Sequence, residues 1–176
     1  LSCIVVVDID LSSQGHDLRG AEKNLQLYHQ LAGRAGRMGK PSTVYFQTYN
    51  TNTKMIDDIT NRNPDIFLNN ELEIRKKNNL PPFQRFISLI LTGNKERELE
   101  KEAYNFKFFI EKKINGKILG PVSAPLFRLK KKYRIRFLIR GAKTLKLQNS
   151  LAKIIPNYKF PSGIKLSVDV DPINFN

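Results

Sequence analysis

The chain has 176 residues, with 30 Lys and Arg against 16 Asp and Glu, a formal net charge of +14, and a single cysteine. One thiol excludes an internal disulfide framework, which fits a cytoplasmic protein, and no targeting segment or membrane-spanning stretch is read from the sequence. The charge is unevenly placed: residues 1–68 hold seven basic and seven acidic residues, leaving 23 of the 30 cations and 9 of the 16 acids for residues 69–176. Codon bias exchanges Arg for Lys without creating net charge, so the basic second half points to a polyanionic partner.

The first predicted element is a strand, Cys3-Ile4-Val5-Val6-Val7, closing on Asp8-Ile9-Asp10. Its run of β-branched residues predicts burial on both faces, the habit of a parallel sheet flanked by helices, with Cys3 as a buried, inert thiol. An amphipathic helix is predicted from about Arg19 to Leu31, its buried stripe formed by Leu18, Ala21, Leu25, Tyr28 and Ala32. Just past it lies Gln30-Leu31-Ala32-Gly33-Arg34-Ala35-Gly36-Arg37. Two guanidiniums at spacing i, i+3 suit the oxygens of a nucleotide triphosphate, and glycine permits close approach, although such Gly-Arg runs also occur in solvated turns. A second strand, 43–49, completes a strand–helix–strand crossover, in which ligands sit beyond the carboxyl ends of the strands. Neither His16 nor His29 has partners at metal-ligand spacing, so no metal site is expected.

Asn61-Arg62-Asn63-Pro64 breaks this pattern, and Pro64 opens a linker helix ending near Arg75-Lys76-Lys77, where cations suit the helix dipole. Residues 1–60, 61–82 and 83–176 are therefore read as a first domain, a linker with a Pro81-Pro82 turn, and a basic C-terminal domain. The last contains strand 85–92, helix 95–114, strand 117–121 with a possible extension to 129, strand 133–140, helix 143–155 and strand 164–170. This order, approximately βαββαβ, predicts two helices on one face of an antiparallel sheet. In strand 133–140 period two sends Tyr133, Ile135, Phe137 and Ile139 inward and Arg134, Arg136 and Arg140 outward. With Lys130, Lys131 and Lys132 as a hairpin tip and Arg128 beside it, a basic surface results that can meet a phosphate backbone without reading sequence. An ordinary solvated strand face is the plainer alternative.

Several of these segments carry a family likeness. Asp8-Ile9-Asp10, Gln30-x-x-Gly-Arg-x-x-Arg37, Gly39-Lys40-Pro41 and Gln47-Thr48-Tyr49-Asn50 resemble the end of the second RecA-like lobe of a superfamily 2 helicase. Glu71-Leu72-x-x-Arg75, Leu80-Pro81-Pro82-Phe83, Leu119-Gly120-Pro121-x-x-Ala124-Pro125-Leu126 and Asp169-Val170-Asp171-Pro172 narrow the resemblance to the primosomal replication-restart (PriA) helicase family, over residues 1 to 172.

The resemblance implies an α/β fold: the parallel-sheet end of a helicase lobe, then a small α+β domain. It implies an ATP-dependent, 3′-to-5′ DNA helicase that acts on stalled or branched forks, with ATP and Mg²⁺ as cofactors. Arg37 would be the arginine finger, with Arg34, Gln30 and Gly33 beside the nucleotide. DNA, single-strand-binding protein and other primosome proteins are the implied partners. The chain has no Gly-x-x-x-x-Gly-Lys-Ser/Thr loop, opens in a strand without an initiating Met, and is read as the C-terminal piece of a longer protein. The family's phosphate loop and zinc-binding cysteines are expected upstream. Two alternatives stand beside this reading: a basic domain that mainly docks proteins such as single-strand-binding protein, and a different superfamily 2 helicase with an RNA-binding appendage.

Overall fold

In a computed structural model, the residues described are 3–9, 18–34, 43–49, 51, 56–57 and 64–173. The chain divides into two compact units, residues 1–74 and 75–176. It is a mixed α/β protein with one small parallel sheet and one antiparallel sheet.

In the first unit β1 (Cys3–Val6) and β2 (Thr43–Phe46) pair in parallel, with α1 (Gly20–Arg34) between them in sequence. Alternation rather than full burial governs both strands. Val6 and Phe46 pack with Leu25 and Tyr28 of α1, and the Tyr28 and Phe46 rings meet edge-on at 5.3 Å. The other face is open: Val5 is 59% and Tyr45 58% exposed, and Cys3 is an exposed thiol. Burial on both faces is therefore corrected, and with it the inert Cys3. A sheet of two strands covered by one helix shields a single side. At the end of β1 the backbone turns through a left-handed Asp8 (φ 55°), and Ile9 enters the core while its N–H donates to the Gln47 carbonyl at 3.1 Å. α2 (Pro64–Lys77) adds Phe67 to the same core.

The second unit contains β3 (Gln84–Gly93), α3 (Glu96–Glu111), β4 (Lys117–Leu129), β5 (Lys132–Ala142), α4 (Leu145–Ile154) and β6 (Lys165–Val170), with one 3₁₀ turn at Ile155–Asn157. Its sheet has the order β4-β5-β3-β6, each neighbour antiparallel. Period two sends Ile87, Leu89 and Leu91 of β3 and Ile135, Phe137 and Ile139 of β5 to one face. Leu99, Ala103, Phe106 and Ile110 of α3, at helical spacing, and Leu147 and Leu151 of α4 cover that face. Phe106 is its centre, with the rings of Tyr158 at 5.1 Å, Phe160 at 5.0 Å and Phe137 at 6.1 Å. Both helices therefore lie on one side of the sheet; among the described residues of this unit the other side carries no helix, although Phe86 and Ser88 on it are buried.

Two short motifs shape this unit. Gly120 adopts φ 98°, and a Cβ there would stand 2.7 Å from the Arg136 carbonyl oxygen, so only glycine fits. The register of β4 shifts across Gly120-Pro121 and again before Arg128, which makes β4 an irregular edge strand. Asp171, also left-handed (φ 53°), accepts from the Phe86 N–H at 3.3 Å and pairs with Arg85 at 3.2 Å. Arg85 in turn donates to Gln148 of α4 at 2.7 Å, so the Asp-Val-Asp-Pro segment ties β6, β3 and α4 together.

Candidate nucleic-acid interface

The open face of the second sheet collects cations because three strands present them in phase. On β5, Lys132, Arg134, Arg136, Leu138 and Arg140 alternate with the core residues Tyr133, Ile135, Phe137 and Ile139, so a single leucine interrupts the cations. Antiparallel partners share a face. Arg140 stands opposite Phe86 on one side and Lys117 on the other; Arg136 lies between Ile90 and Val122; Arg134 faces Thr92, whose further partner is Lys165. Like charges placed directly opposite, as at Lys117 and Arg140, disfavour the sheet by themselves. The strands bring one acid to this face, Asp169, across from Ser88.

Arg134, Arg136 and Arg140 are part-buried, and Arg134 donates to the Leu126 carbonyl at 3.5 Å. Burial pulls the Arg136 guanidinium below its ordinary value; arginine starts so high that it stays charged at neutral pH. A cation already stripped of part of its water gives up less hydration when it meets an anion.

The hairpin tip lies at the end of this row. β4 and β5 are joined through Lys130 and Lys131, which have φ 50° and 65°. Positive φ at both central residues is the primed turn that matches strand twist, and that turn ordinarily takes Asn-Gly. Lys130, Lys131 and Lys132 are exposed. Arg128 departs from the expected row: it stands in register with Tyr133, and its guanidinium lies 5.4 Å from the centre of that ring, on the side of the core residues. Tyr133 also meets Phe127 at 5.4 Å. Sequence reasoning missed Lys117 and Lys165; each precedes a residue packed on the core, Ile118 and Leu166, and that alternation was the available signal.

In the first unit, α1 runs to Arg34, so Gln30 is helical as expected and Gly33 and Arg34 are helical rather than beyond the helix. All three are exposed, and a Cβ on Gly33 would meet nothing within 4 Å, which leaves the approach to Arg34 open. Arg34 sits in the last turn, where a cation also suits the helix dipole. Arg37 and Asp10 lie outside the described residues. Among the described residues no group of three or more His, Cys, Asp or Glu is placed to hold a metal ion, and no helix is long and apolar enough to cross a membrane.

The likeness to known proteins covers the whole chain, and the family model that matches lies within the second unit. Residues 76–173 match the family model described as Primosomal protein N C-terminal domain. Over 175 residues the chain is 39% identical to the protein named Replication restart protein PriA of Rickettsia conorii, covering 99% of this chain and 27% of that relative. The proteins of the same name from Synechocystis and Bacillus subtilis are 32% and 29% identical over 178 residues, covering 100% and 98% of the chain and 21% and 22% of the relatives. The chain thus spans about a quarter of the length of the curated relatives it matches. It belongs to the primosomal protein N C-terminal domain family.

Proposed function

We propose that this chain is the C-terminal part of an ATP-dependent DNA helicase that restarts replication, in which the second unit grips DNA through the open sheet face. The observation that carries the reading is the row Lys132, Arg134, Arg136 and Arg140, joined by Lys117 and Lys165, on the side of the sheet opposite the core. Lys and Arg neutralise phosphates and set position; nothing in the row resembles the Asn and Gln pairs that read adenine, so binding is independent of sequence. DNA rather than a docked acidic tail is favoured because the cations follow a strand instead of closing a pocket. Action at stalled or branched forks, 3′-to-5′ movement, cytoplasmic location and partnership with single-strand-binding protein and other primosome proteins belong to the same proposal and rest on family membership.

The first unit is proposed as the end of a RecA-like lobe. Its parallel pair and the exposed apolar face carrying Val5 and Tyr45 suit a sheet that continues and is covered on both sides. Exposed Arg34 with open space at Gly33 fits a triphosphate arriving from another lobe. ATP with Mg²⁺, when bound, supplies the phosphoryl group that is hydrolysed; Arg37 would stabilise charge at the γ-phosphate, Arg34 would support the same contact, and Gln30 would couple the helix to it. Such arginines contribute about 10³- to 10⁵-fold in rate. Arg37→Ala in the intact helicase is expected to abolish DNA-stimulated ATP hydrolysis while DNA affinity stays within twofold; turnover above a third of wild type would remove the assignment. Titration of the present chain with single-stranded and forked DNA at low salt tests the grip, and absence of binding there refutes it.

A further inference from the structure

The Gly120-Pro121-x-x-Ala124-Pro125-Leu126 segment bends β4. That bend opens a cavity of about 350 Å³ between α3 and the sheet edge, lined by Glu100, Tyr104, Pro121, Val122, Ser123 and Ile135. The volume falls in the lower part of the range for small-molecule sites. We propose that this cavity takes an unpaired nucleobase of DNA, stacked on the Tyr104 ring, as the strand passes from the cationic sheet face around the β4 edge. The proposal rests on the DNA-binding reading of the second unit and adds to it which part of the nucleic acid is held, and where.

Three observations converge. Tyr104 and Phe108 are each 63% exposed, although aromatic rings ordinarily bury most of their surface. They are four residues apart on α3, hence neighbours on one helix face, about 6 Å apart along the axis. Successive bases of a single strand can stack on such a pair whatever their sequence. Lys112 Nζ lies 4.1 Å from the centre of the Phe108 ring, which puts a cation beside the pair for the linking phosphate. The second observation is continuity: Val122 lines the cavity and is the register partner of Arg136, so one member of the cationic row stands beside a residue of the cavity wall. The third is the rim itself. Glu100 repels a phosphate but accepts from an N–H on a base edge, such as the N3–H of thymine, so the base and not the backbone is the part that enters.

The experiment compares wild type, Tyr104→Ala and Tyr104→Phe in binding a labelled oligothymidylate, an abasic strand of the same length and a blunt duplex at low salt. Circular dichroism confirms the fold, which an exposed ring does not support. Tyr104→Ala is expected to weaken oligothymidylate binding about 5- to 150-fold, the range for loss of one stacking ring. Duplex binding should stay within twofold, and Tyr104→Phe should bind like wild type. Wild type should bind the abasic strand no better than Tyr104→Ala does. Equal affinity of wild type and Tyr104→Ala for oligothymidylate overturns the base site while leaving the cationic grip intact. Failure of wild type to bind any of the three overturns both. Self-association that Tyr104→Ala abolishes, with oligothymidylate binding unchanged, assigns the cavity to a second copy of the chain and also overturns the proposal.

Discussion

Replacing Lys130-Lys131 by Asn-Gly should make the protein more stable and a poorer DNA binder. Both lysines hold positive φ, 50° and 65°, in the two-residue connection between β4 and β5. A left-handed conformation costs a residue with a Cβ roughly 1–2 kcal/mol. Gly at the second position removes that cost, Asn at the first lowers it, and the added freedom of Gly in the unfolded chain takes back about 0.5–1 kcal/mol. The net gain is about 1 kcal/mol, which for a unit of this size is a rise of about 4–8 °C in melting temperature. Thermal and urea unfolding followed by circular dichroism measure it. Two cations are lost from the end of the basic row, so the slope of log affinity against log salt should fall by about 1.4–1.8 if each meets one phosphate. A variant no more stable than wild type refutes the strain argument. One that gains stability with unchanged DNA affinity refutes the claim that these lysines are kept for binding.

Tyr158 donates to Glu102 at 2.6 Å, and burial first, then that bond, pushes its phenol above the ordinary range. A group with a raised folded value supports the fold fully below its unfolded value near 10 and loses that support as pH rises further; the loss in stability above about pH 10 should therefore be shallower in Tyr158→Phe. That variant should also cost about 1.5–3 kcal/mol at neutral pH, because buried Glu102 loses a donor; unchanged stability in urea would contradict it. Asp171→Ala removes both the Phe86 N–H acceptor and the Arg85 partner from a left-handed position, and about 1–3 kcal/mol of stability should go with them. Asp171→Asn keeps an acceptor and tolerates the backbone, so it should retain more than half of that difference by the same measurement.

How much was legible in the residues depended on whether the signal was local. In the second unit, Leu99, Ala103, Phe106 and Ile110 at helical spacing and Ile135, Phe137 and Ile139 at period two define elements within one to three residues of their observed ends, because each repeats inside one segment. The positions of Lys117 and Lys165 on the arginine face depend on which strands become neighbours, and register is a property of pairs of segments. Arg128 left the expected row because β4 shifts register twice before reaching it. The run Cys3 to Val7 misled in the other direction: β-branched residues announce a strand but not whether both of its faces are covered, and Val7 is 69% exposed. Gly33 and Arg34 fell inside α1, past the expected end at Leu31, because a single Gly costs a helix only about 1 kcal/mol and does not by itself end it. Tyr104 and Phe108 lie off the stripe of Leu99, Ala103, Phe106 and Ile110, and the helical pattern alone did not single them out as exposed rings.

The grip of the open sheet face on phosphates is tested most directly by the salt dependence of single-strand binding by wild type and by Arg134→Ala/Arg136→Ala/Arg140→Ala. The slope should fall by about 0.7 for each arginine that meets a phosphate, and affinity should drop equally for strands of different sequence. An unchanged slope in a folded triple variant would contradict a DNA-gripping role for this face.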